Sequence, residues 1–146
     1  MKIGGHPVHM MLVHFPAALL PMALFCEIVF YYTQNLSFGT TAFYAAAGGV
    51  MMGWLAFCFG LLDLTQIKPE AEKAQKVGLL HGGIQTAVLM VYSIFVYQQW
   101  KVFPVIEAPT MVMLAIKAAA IILLVAGNYF GGTLVLKYRI GVQHDP

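Results

Sequence analysis

Five histidines stand in a chain of 146 residues, and three of them crowd into HPVHMMLVHFP as His6, His9 and His14. His81 opens a later apolar run in LLHGG, and His144 lies two residues from the C-terminus. Imidazole is the commonest metal ligand and titrates near neutral pH. Four such rings gathered at one end of an apolar molecule point to a metal or cofactor centre, or to a polar cluster that satisfies freed backbone groups.

The elements that must position these rings are membrane helices. The chain is 60% hydrophobic and 10% charged, against about 25% charged residues in a soluble domain. A net charge of +2 gives no nucleic-acid footprint, and no nucleic-acid motif is present. Four apolar segments occur, at about 8–32, 41–64, 77–98 and 109–136. Each exceeds the roughly 20 residues that cross a bilayer, and helices alone satisfy their own backbone there. Ten-residue alternating strands of a barrel are absent from the pattern. The first run is too long for a signal peptide and lacks a small-residue cleavage site, so it reads as a retained helix. The expectation is one domain, an all-α integral membrane four-helix bundle, up-down-up-down, embedded in a lipid bilayer.

Orientation follows from basic residues. Lys2, Lys68, Lys73, Lys76, Lys137 and Arg139 fall on one side of a four-span chain, and only Lys101 on the other. Both termini are therefore expected in the cytoplasm, and in a bacterium the membrane is the inner one. TQNLSFGT and the stretch around WKVFPVIEAPT read as the opposite loops. KPEAEKAQK is charged and helix-prone.

Depth selects a first pair of ligands. His14 lies roughly 9 Å along the first helix and His81 roughly 6 Å along the third, at about 1.5 Å per residue. Those helices run in the same direction and are diagonal in a simple bundle, with axes about 12–14 Å apart. The gap suits two imidazoles with a flat macrocycle between them, and Gly82 and Gly83 leave room beside one ring. Bundle cores commonly hold such cofactors. The first expectation is thus a b-type haem ligated by His14 and His81, serving electron transfer to or from a redox partner or quinone. A second reading gathers His6, His9, His14 and His81 about a Zn, Cu or Fe ion. Asp63, at the same end, is then a ligand or the acceptor for a histidine's second N–H. A third reading is a structural subunit without cofactor, in which His14 and His81 hydrogen-bond backbone freed by Pro16, which leaves the carbonyl of Leu12 without a donor. Lys137, Tyr138 and Arg139 reach this end and suit macrocycle propionates or lipid phosphates. No nucleophile with a paired base is visible, which disfavours hydrolysis and leaves catalysis otherwise open.

Away from the histidines, Glu27 and Lys117 lie in the same half of the membrane on helices expected to be neighbours. Pairing is expected because an isolated charge in lipid is expensive; the alternative is that each snorkels to the headgroups. Cys26 and Cys58 differ in depth by roughly 15 Å along their helices, too far for a disulfide. Gly49 and Gly53 form a G-x-x-x-G on the second helix, as do Gly127 and Gly131 on the fourth, and small residues at this spacing let helices approach. They offer an interface for a homo-oligomer or a larger complex. Helices one and three each begin with histidine, and helices two and four end in FGLL and FGGT; this echo reads more readily as ordinary membrane composition than as a repeat.

HPVHMMLVHFP followed by ALL, then GLLD, then LHGG resembles an uncharacterised family of bacterial four-helix membrane proteins, a domain of unknown function whose opening reads approximately H-P-x-H-P-x-L-V-H-F-P. The resemblance spans nearly the whole chain. It implies that His6, His9, His14, Asp63 and His81 are the marked positions. Met10 stands where the family usually has a second proline, and Glu27 where aspartate is common. The resemblance implies no activity.

Overall fold

A computed structural model describes the backbone of residues 2–3 and 6–140 and the side chains of 8–140. A two-residue strand β1 (Lys2–Ile3) pairs antiparallel with β2 (His6–Pro7). The helices are α1 (Val8–Leu12), α2 (His14–Thr33), α3 (Leu36–Thr65), α4 (Glu72–Val102) and α5 (Met111–Leu136). The break between α1 and α2 at Val13 sits where Pro16 supplies no N–H to Leu12. Together α1 and α2 form one of four helical spans long and apolar enough to cross a membrane.

Two helices run further than the apolar segments. α3 begins at Leu36 because Asn35 caps it, its side chain accepting from the Ser37 N–H. The polar TQNLSFGT stretch is therefore mostly helix, and Gly39 within it lets Phe30 and Ile106 close against the backbone. α4 begins at Glu72 in the charged stretch, with Glu72 and Lys76 an exposed i,i+4 pair.

α2 packs on α3, α3 on α4, α4 on α5, and α5 back on α2. The core draws Leu20 and Ala23 from α2, Ala46 from α3, Val88 and Tyr92 from α4, and Ala120 and Leu124 from α5. Large apolar side chains such as Phe25, Met51, Ile94 and Ile122 face outward, as a lipid-facing surface requires. Both cysteines are free, Cys26 buried and Cys58 exposed.

The glycine pairs serve packing inside the chain. A Cβ at Gly49 would come within 2.7 Å of Leu20 of α2, and one at Gly53 would strike Leu89 of α4. Gly127 packs on Gln85 and Ile84, and Gly131 on His81. The small faces offered to an oligomer interface in the sequence are occupied by the chain's own helices.

The two helical hairpins are also repeats of one another. The buried residues of α5 are Leu114, Lys117, Ala120, Leu124 and Gly127. Each lies 71 positions after a buried residue of α3: Phe43, Ala46, Gly49, Gly53 and Ala56. On α2 and α4 the shift is 72, relating buried Pro16 to Val88 and buried Leu20 to Tyr92. The echo read as ordinary composition is thus matched in the register of the buried residues, at every buried position of α5 and at two of α4.

Candidate cofactor site: two imidazoles between repeated hairpins

The repeat sets the chemistry at the end holding β1, β2 and the α3–α4 connection. His9 Nδ1 lies 2.8 Å from the carbonyl of Ala56 on α3. His81 Nδ1 lies 2.8 Å from the carbonyl of Gly127 on α5. Each ring also lies against a glycine one helical turn further on. A Cβ at Gly60 would fall 2.7 Å from His9 Cε1, and one at Gly131 would fall 2.9 Å from His81 Cε1. Histidine, carbonyl and glycine recur at the repeat's own shifts. The two rings meet across the hairpins with centroids 6.4 Å apart and planes at 79°.

A carbonyl only accepts, so in the neutral ring Nδ1 carries the proton and Nε2 keeps its lone pair. This is the arrangement in which a backbone carbonyl fixes a ligand histidine's tautomer and orientation. The acceptors on both Nδ1 atoms are the carbonyls of Ala56 and Gly127, the place offered to Asp63 in the sequence.

The ring facing His81 is therefore His9, where depth along the helices had selected His14. His14 is exposed, and its Nδ1 reaches only the nearby carbonyl of Met11 at 3.4 Å. The reason is helical phase. Exposed Met11, Phe15, Met22 and Phe25 put His14 on the lipid-facing stripe, whereas buried Pro16 and Leu20 continue back toward His9. The signal was present twice, in that stripe and in the shift of 72 that relates His81 to His9.

His9, His14, Asp63 and His81 all line one cavity of about 450 Å³ that draws on every helix. Gly82 and Gly132 border it, and a Cβ on either would meet nothing within 4 Å. Among the described residues, no three of His, Cys, Asp and Glu come together as a set able to hold a metal ion. The side chain of His6 and all of His144 lie outside the described residues.

At the opposite end, Glu27 of α2 and Lys117 of α5 form the expected ion pair, with side chains 15% and 5% exposed. The Lys117 ammonium also sits 4.4 Å from the centre of the Phe95 ring, a cation–π contact. Burial of both side chains excludes the snorkelling alternative.

Four apolar spans, an outward apolar surface and polar groups turned inward define an integral membrane helical bundle built of two hairpins. The chain belongs to the family described as Predicted membrane protein (DUF2231), whose model matches residues 5–144. No curated protein and no solved structure matches it.

Proposed function

We propose that the protein is a membrane b-type haem protein in which His9 and His81, rather than His14 and His81, are the axial ligands. The observation that carries this reading is the 6.4 Å separation of two imidazoles whose Nδ1 atoms are both held by carbonyls. Taking a metal–nitrogen bond of about 2.0 Å and about 1.1 Å from nitrogen to ring centre, two imidazoles on opposite sides of one metal would have centroids about 6.2 Å apart, and two on a tetrahedral ion about 5.1 Å apart. A bare Zn, Cu or Fe ion also calls for a third or fourth protein ligand, whereas a macrocycle brings four of its own. The cavity bordered by Gly82 and Gly132 gives the group space. Arg139 lies next in sequence to the lining residue Ile140, Lys137 lies two positions after Val135, and both would provide positive charge for propionates.

When bound, haem b would supply one-electron transfer, and filling both axial positions with protein nitrogens disfavours oxygen chemistry. Ala56 and Gly127 hold the two imidazoles in one tautomer, Gly60 and Gly131 allow their approach, and the apolar walls keep water from the centre. The protein purified from haem-replete cells should be red, with one haem per chain and the sharp reduced α and β bands of a six-coordinate centre. A colourless protein carrying stoichiometric zinc or copper contradicts this reading.

The same proposal places the chain in a bacterial inner membrane with both termini cytoplasmic, on the basic-residue bias. A reporter fused after Pro146 should then be active only as a cytoplasmic reporter; periplasmic activity reverses the orientation.

A further inference from the structure

The second cavity lies at the opposite end of the bundle, about 380 Å³ in volume, and it contains the Glu27–Lys117 pair. Its lining includes the aromatic rings of Phe30, Phe43, Tyr92 and Phe95. One oxygen of Glu27 accepts from Lys117, while the other, Oε2, is buried without a hydrogen-bond partner. A buried acceptor without a donor is costly, more so when charged. Paired with an ammonium, the carboxylate can only accept. The missing group is therefore a donor, and the rings around it favour a flat apolar body carrying that donor.

The repeat shows that this polarity is specific to one side. The position equivalent to Glu27 is Gln99, and the position equivalent to Lys117 is Ala46; both also line the cavity. Gln99 is already engaged, its Nε2 donating to Val105 at 2.7 Å and its Oε1 accepting from the Glu107 N–H at 3.3 Å. Among the described residues, Glu27 Oε2 is the buried side-chain polar atom left without a hydrogen-bond partner.

We infer that the outer cavity is a binding site for a lipid-soluble hydroquinone, a hydroxyl of which donates to Glu27 Oε2. The site is independent of the haem reading. The oxidised quinone has only acceptor oxygens; it can accept from the Lys117 ammonium but leaves Glu27 Oε2 unsatisfied, so the site favours the reduced form. A hydrogen bond to a charged group accounts for a preference of about tenfold or more.

The test measures equilibrium binding of a decyl-substituted hydroquinone to the full chain in nanodiscs, kept reduced with ascorbate, against protein-free nanodiscs. Expected are one saturable site per chain and at least tenfold weaker binding of both the quinone and the hydroquinone dimethyl ether. Glu27→Gln, whose amide can donate as well as accept, should erase that preference. Ala46→Phe, which fills the cavity beside Lys117, should abolish binding while the variant retains the wild-type helical spectrum. His81→Ala should bind as the wild type does, so loss of a haem spectrum and loss of this site are separate results. Absence of saturable binding in the wild type, or equal affinity for hydroquinone and quinone, overturns the proposal; so does binding that survives Ala46→Phe.

Discussion

The two ends of the bundle treat the same repeat in opposite ways. Near the termini the equivalent positions agree: His9 with His81, Gly60 with Gly131, and the carbonyls of Ala56 and Gly127. At the other end they differ: Glu27 faces Lys117, while their equivalents are Gln99 and Ala46. Agreement yields two equivalent imidazoles facing one another, the arrangement on which the haem proposal rests. Divergence yields a charge pair with one oriented vacancy, the demand of a ligand with distinct ends. Between them the buried Leu20, Val88 and Tyr92 close the core, so the two cavities are separate chemical environments.

The largest effect should come from breaking the charge pair. Lys117→Met leaves the Glu27 carboxylate buried without compensation, and removing one partner of a buried pair costs about 3–5 kcal/mol. The Glu27→Gln/Lys117→Met double variant should recover most of that loss in reversible unfolding from detergent. A single-variant cost below about 1 kcal/mol, typical of exposed pairs, would mean the pair is solvated, and the contrast between the ends would weaken.

A smaller effect tests the equivalence of the two histidines. Gly60→Ala and Gly131→Ala each push a methyl toward a ring edge, at 2.7 Å and 2.9 Å from Cε1. Disturbing the groups that orient a metal ligand typically lowers affinity about 10–100-fold. The two variants should weaken haem retention to a similar degree, as measured by transfer to apomyoglobin. Loss in only one of them would show that the repeat no longer governs the site. Least affected should be Gly83→Ala, since its methyl meets nothing within 4 Å and Gly83 does not line the cavity. It should leave haem content unchanged and stabilise α4 by about 0.5–1 kcal/mol, the ordinary helix advantage of alanine over glycine.

Much of this arrangement was legible in the residues. Hydropathy and length gave four spans, and the expense of charge in lipid gave the Glu27–Lys117 pair. The polar start of α3 was not legible as helix, because a cap at Asn35 outweighs hydropathy there, whereas the helix-prone KPEAEKAQK does contain the start of α4 at Glu72. The partner of His81 was missed because depth along a helix says nothing about the face a ring occupies. His9 and His14 are five residues apart, roughly 140° around a helix, so His9 turns inward with Pro16 and Leu20 while His14 lies at the edge of the lipid-facing stripe. The repeat was hidden for a different reason: its buried positions keep register but neither size nor identity, as with Leu20 and Tyr92 or Lys117 and Ala46. The carbonyls that fix both imidazoles are backbone groups and leave no mark in side-chain identity.

The pairing of His9 with His81 is tested most directly by reduced-minus-oxidised absorption spectra of three alanine variants, prepared alike in haem-replete cells. His9→Ala and His81→Ala should each lose the six-coordinate α band, while His14→Ala keeps it at wild-type intensity per chain. Retention of the band in His9→Ala together with its loss in His14→Ala would contradict the account.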